Sequence, residues 1–146
     1  MSPIFRISLA LALAAIACGR AERPADLTAP APLYRDPVFD GAADPSLIWN
    51  DKERAWWVFY TNRRANAPEA QDSLRWVHGT DIGIASSTDG GRTWTYRGTA
   101  KGLEFEPGRN TFWAPCLLEH GRTYHMFVAY VRGVPADWSG DRNIVH

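Results

Sequence analysis

The chain has 146 residues, 12% of them aromatic, and its 16 basic side chains balance 16 acidic ones. A neutral chain of this length fits one domain and excludes the charge footprint of a nucleic-acid binder. Two cysteines exclude a disulfide-built scaffold, and no Cys/His spacing forms a zinc site, so no metal or other cofactor is expected.

In chain order, residues 1–17 read as an export signal. Arg6 gives a short positive start, and Ile7 to Ala17 is an apolar run too short to span a bilayer. The run ends Ala15-Ile16-Ala17-Cys18-Gly19, small residues before a Cys as in a bacterial lipobox, although Ala15 stands where Leu is more typical. Two outcomes follow: Cys18 carries lipid and becomes the mature N-terminus, or ordinary cleavage releases the chain. Either way export is expected, to the periplasm, outer membrane or cell surface as a lipoprotein, or as a secreted protein. Residues 18–33 hold Pro24, Pro30 and Pro32 without apolar period and read as a linker.

Residues 34–146 read as all-β. Strand candidates are Ser46 to Trp49, entered through Asp44-Pro45, then Trp56 to Tyr60, Ile82 to Ser86 and Thr93 to Tyr96. A polar loop is expected over residues 61–80. Four antiparallel strands without an intervening helix make one sheet or propeller blade. The pattern then restarts. Pro115-Cys116-Leu117-Leu118 falls on Pro45-Ser46-Leu47-Ile48 at a shift of 70 residues, and Met126 to Tyr130 falls on Trp56 to Tyr60 at the same shift. Asn143 to His146 begins a third strand of the second copy. A four-strand repeat is the mark of β-propeller blades. Only about one and a half to two blades are present, which leaves an open edge, so the chain reads as the N-terminal part of a longer product.

Ser87-Thr88-Asp89-Gly90-Gly91-Arg92-Thr93-Trp94 matches the Asp-box pattern S-x-D-x-G-x-T-W. Its mechanism is structural: the Asp carboxylate accepts backbone N–H groups across the turn, and Gly91 suits positive φ. Asp44 is different. It stands at the mouth of an innermost strand, where acids from several blades can converge on a central channel. Capping of the Asp-Pro turn explains it equally well.

Asp44-Pro45-Ser46-Leu47-Ile48-Trp49 followed by Trp57-Val58-Phe59-Tyr60-Thr61 resembles the opening of family 43 glycoside hydrolases, which are five-bladed β-propellers. Phe112-Trp113-Ala114-Pro115-Cys116-Leu117-Leu118, with Gly121, Tyr124 and Tyr130, resembles their second-blade opening. The resemblance covers residues 34–146. It implies hydrolysis of poly- or oligosaccharides by water attack between paired acids, with Asp44 as general base. The family's Asp that tunes the general acid falls on Cys116, and a thiol brings no negative field to raise a neighbouring acid's pKa. The general acid itself belongs to a later blade, so the chain alone is expected to be inactive. Three readings of Cys116 stay open: another acid has been recruited, catalysis has been lost with sugar binding kept, or the motif reports fold alone.

Further candidates for contact with a carbohydrate are Arg35 and Asp36 before the first blade, Trp113, and Asp137 with Trp138 in the loop after the sixth strand. For Arg35 and Asp36, a pair stitching the N-terminal segment to the propeller is the alternative; for Trp113, simple packing. Propeller channels of the family can hold calcium, though nothing in this sequence indicates one. A monomer is expected at full length. Two competing functions remain: a non-catalytic carbohydrate-binding surface lipoprotein, and a sialidase-like propeller, suggested by the Asp box and by Tyr34-Arg35-Asp36-Pro37, which resembles that family's Arg motif.

Overall fold

Aromatic and β-branched runs separated by Asn, Asp, Gly and Arg turns favour short antiparallel strands over helices. A computed structural model, which describes residues 30–68 and 74–146, contains seven strands in those residues: β1 (Asp40–Asn50), β2 (Ala55–Arg64), β3 (Ile82–Ser87), β4 (Thr95–Thr99), β5 (Thr111–His120), β6 (Thr123–Val131) and β7 (Asn143–Val145). They form two antiparallel sheets, ordered β1-β2-β3-β4 and β5-β6-β7. The export signal, Cys18 and the linker as far as residue 29 lie outside the described residues. None of the described helices is long and apolar enough to cross a membrane.

The first sheet begins earlier than the sequence suggests. Asp40 already pairs with Arg64 and Ala43 with Thr61; the register then shifts, and pairing resumes at Ser46 with Phe59. Asp44-Pro45 is therefore a bulge inside β1 rather than its start. Pro45 has no N–H to give the ladder, and Asp44 takes a left-handed φ of 51°, so the extra residues leave the pairing there. β5 repeats the device: the shift lies between Trp113 and Cys116, and Ala114 has a φ of 47°.

The repeat itself needs a correction. Ser46 pairs with Phe59 and Cys116 with Phe127, so the first strand recurs after 70 residues but the second after 68. Phe127, not Ala129, is thus the counterpart of Phe59. The cause is the hairpin. Asp51 to Arg54 joins the first pair, whereas Gly121 and Arg122 alone join the second, both at positive φ as a tight two-residue turn demands.

The sheets meet through one core. Ile82, Phe112, Val128 and Tyr130 are buried together, with Phe59, Leu103, Met126 and Val145 packed against them. Fully burying a side chain such as Ile82 or Val128 stabilises the fold by about 2 kcal/mol. The opposite face of the first sheet carries Val58, Tyr60 and Ala85, partly covered by Tyr34 and Trp94. Trp94 comes from the Asp-box turn, which closes as its residues dictate. Asp89 Oδ1 accepts the amides of Arg92 and Thr93, Oδ2 accepts the Thr93 hydroxyl, and Gly90 and Gly91 have φ of 77° and 90°. These donors hold the Asp89 carboxyl far below the usual carboxylate range. β4 starts after that turn, at Thr95 rather than Thr93.

Two polar contacts stitch β1 and β2 to β5. The Leu117 amide donates to Ser46 Oγ at 3.0 Å, and the Ala114 amide donates to Thr61 Oγ1 at 2.9 Å. They place the two bulges side by side.

Candidate functional site

An open cleft of about 230 Å³ lies at the bulged ends of β1 and β5, lined by Asp44, Arg63, Val77, Trp113, Ala114 and Trp138. Its floor is the bulge pair. Its walls are the β2–β3 connection, which carries Val77 and His78, and the β6–β7 connection, which carries Asp137 and Trp138.

Asp44 presents its carboxylate at the cleft with two donors on one oxygen. Thr61 Oγ1 donates to Oδ2 at 3.0 Å, and Arg63 Nη2 lies 3.5 Å from the same atom. Oδ1 has no partner among the described residues. Arg63 is steadied from behind, its guanidinium 5.2 Å from the Trp76 ring centre. Trp76 belongs to a single 3-10 turn, Leu74–Trp76.

The segment expected as a polar loop over residues 61–80 is otherwise: β2 continues to Arg64, and Val77, His78, Gly79 and Thr80 are buried. His78 is fully buried against Trp113 at 5.2 Å and Trp138 at 5.7 Å between ring centres. Neither of its ring nitrogens has a well-formed hydrogen bond among the described residues. Burial pushes the His78 pKa down and the Arg142 charge adds to this, while the Pro135 carbonyl and Asp137 pull the other way. The site therefore favours a neutral imidazole.

Trp113 is fixed by its indole N–H, which donates to the Val77 carbonyl at 2.5 Å. Its ring also carries the Arg142 guanidinium at 5.8 Å. Arg142 donates to the Trp138 and Gly140 carbonyls at 2.6 and 3.1 Å, which holds the loop in shape. Trp138 leaves 57% of its surface exposed, an unusual position for the largest apolar side chain.

Of the residues singled out in the sequence, Asp44, Trp113 and Trp138 come together in this cleft. Asp137 stands beside it, exposed, with Oδ1 accepting the Ser139 amide at 2.8 Å; the Ser139 hydroxyl, and then its amide, lower the Asp137 pKa. Arg35, Asp36 and Cys116 do not line it. Arg35 pairs with Asp40 at 3.3 Å on the surface. Asp36 is 2% exposed and serves the N-terminal segment: Oδ1 accepts the Val38 and Phe39 amides, and Oδ2 accepts the Tyr60 hydroxyl at 2.5 Å. The stitch is thus between Asp36 and Tyr60, not within an Arg35–Asp36 pair. Cys116 is a free, exposed thiol on β5. Sequence reasoning missed His78, whose burial no local pattern announces, and Thr61, which it placed at the start of a polar loop although β2 carries it on. Among the described residues no three His, Cys, Asp or Glu side chains group as a metal site.

No protein-family model matches the chain, and no curated protein matches it in sequence. Solved structures do match in fold. Zg3597, a family 117 glycoside hydrolase from the marine bacterium Zobellia galactanivorans, superposes with a TM-score of 0.53 at 21% identity, over 76% of this chain and 37% of that one. An endo-arabinase from Bacteroides thetaiotaomicron VPI-5482 gives a TM-score of 0.42 at 20% identity, over 76% and 32%. The chain thus spans well under half the length of either. Its fold is all-β, two antiparallel sheets joined at the bulged strands that hold Asp44 and Ala114, consistent with part of a propeller-like fold.

Proposed function

We propose that this chain supplies the first blades and the general base of a five-bladed β-propeller glycoside hydrolase acting on poly- or oligosaccharides. The observation that carries the reading is the union, in one open cleft, of two tryptophans and a carboxylate whose Oδ1 has no partner among the described residues. Tryptophan faces stack on sugar rings, and a carboxylate with a free oxygen can take a proton from water. In that step Asp44 Oδ1 accepts a water proton while the water oxygen bonds to the anomeric carbon. The leaving oxygen takes its proton from an acid that this chain does not provide. The likeness in fold to a family 117 glycoside hydrolase supports the architecture of this reading.

The test is to read the coding sequence beyond codon 146, express the whole frame, and assay it on a panel of aryl glycosides and neutral oligosaccharides. Turnover that falls about a thousandfold in Asp44→Asn agrees with a base. Turnover untouched by that change sinks the assignment.

A second reading, carbohydrate binding without hydrolysis, is favoured by Cys116, which leaves the family's acid-tuning position without a carboxylate. It predicts sugar-dependent change in tryptophan fluorescence, equal in the parent and Asp44→Asn, with no product. We further propose export with a lipid on Cys18. Incorporation of labelled palmitate that survives Cys18→Ser would refute the anchor.

A further inference from the structure

Thr61 is fully buried, yet its hydroxyl makes two bonds, one as acceptor and one as donor. It accepts the Ala114 amide at 2.9 Å and donates to Asp44 Oδ2 at 3.0 Å. A threonine hydroxyl has one proton and two lone pairs, so accepting from Ala114 leaves its proton for Asp44. The donor is buried while the Asp44 carboxylate is 40% exposed, and a hydrogen bond to an ionised acceptor is stronger than a neutral one and fixes direction as well as distance.

The second copy of the repeat is an internal control. With the register corrected, the residue facing the second bulge is Ala129, paired with Trp113 just as Thr61 is paired with Ala43. The bulged counterpart of Asp44 is Ala114. Carboxylate and hydroxyl are thus both absent from the second copy, although the backbone device is the same. The hydroxyl goes with the carboxylate, not with the bulge.

We infer that Thr61 is the positioning residue of Asp44: its hydroxyl holds Oδ2 against the sheet seam and leaves Oδ1 turned to the cleft. The inference rests on Asp44 being the base of the proposed hydrolase. The bond itself can be tested without turnover.

Two measurements decide it. The first is a double-mutant cycle of Thr61→Val and Asp44→Ala in urea unfolding of the whole encoded protein. The bond predicts that the unfolding constant of the double variant lies at least about threefold below the value expected from independent effects. Additive effects overturn the inference. The second uses the whole encoded protein and an aryl glycoside that it hydrolyses. Thr61→Val is expected to lower kcat by about tenfold to a hundredfold with KM within twofold, and Thr61→Ser to restore kcat to within about threefold of the parent. Parental kcat in Thr61→Val overturns the inference even if Asp44→Asn abolishes turnover. Coupling in the cycle, in a protein whose turnover ignores Asp44→Asn, leaves the Thr61–Asp44 bond standing and removes Asp44 as the base.

Discussion

The Tyr60 ring lies directly over Gly83 across the β2–β3 pair: a Cβ placed on Gly83 would come within 2.3 Å of Tyr60 Cζ. Glycine here is a matter of space, since its φ is ordinary. The bare backbone lets a large ring lie flat on the sheet while its hydroxyl reaches Asp36 and stands 3.2 Å from Tyr34 Oη. Gly83→Ala must push the ring away and break those contacts. We expect a loss of about 2–3 kcal/mol in urea unfolding, with Gly98→Ala unsuitable as a control because its φ is positive.

Asp36 should behave as a structural residue. Replacing it by Ala removes the acceptor of two amides and leaves the buried Tyr60 hydroxyl with Tyr34 alone, which costs about 3 kcal/mol. Sugar affinity, measured by tryptophan fluorescence at a temperature where the variant is folded, should stay within twofold of the parent. A tenfold loss of affinity would return Asp36 to the binding site.

Ala114 holds a left-handed φ without glycine's freedom, at a cost of about 1–2 kcal/mol. Ala114→Gly keeps the amide that Thr61 accepts and relieves the strain. It should therefore raise stability by about 1 kcal/mol, less whatever the unfolded chain gains in freedom. A lower melting temperature than the parent would contradict the strain.

The pH dependence of stability has a definite sign at His78. Its pKa is depressed in the folded protein below the ordinary value of 6.5. Between the two values the unfolded chain binds the proton and the folded one does not, so stability falls as pH drops below 6.5 and levels off below the folded pKa. His78→Gln should flatten that portion of the curve, measured by urea unfolding from pH 7.5 to 4.5. At the other end, burial and the bonds to Asp36 and Tyr34 raise the Tyr60 pKa far above its ordinary value of 10.0. Stability from Tyr60 is thus full below pH 10 and lost above it, a loss that Tyr60→Phe removes.

The sequence announces most of the first sheet, because Trp57 to Tyr60 and Ile82 to Ser86 are apolar runs bounded by turn residues. It announces the Asp-box turn almost atom by atom, since Ser87, Asp89 and Thr93 act within a few residues of one another. Long-range geometry is less legible. The second strand of the repeat slips by two because Gly121-Arg122 closes a hairpin in less chain than Asp51 to Arg54, and a fixed shift cannot see that. Asp44, Trp113 and Trp138 were recognisable as candidates from motif and position. Thr61 and His78 were not, since one is defined by an amide on another sheet and the other by rings that arrive from β5 and the β6–β7 loop.

The seam between the sheets has a mechanical meaning. The amide of Ala114 holds a hydroxyl, and that hydroxyl holds the acid. A slide of one sheet on the other would therefore be passed on to Asp44 through these two bonds. Ser46 and Leu117, farther along the same joint, act as a second rivet that resists such sliding. Substitutions there, remote from any sugar, would detune the carboxylate by letting its mounting shift.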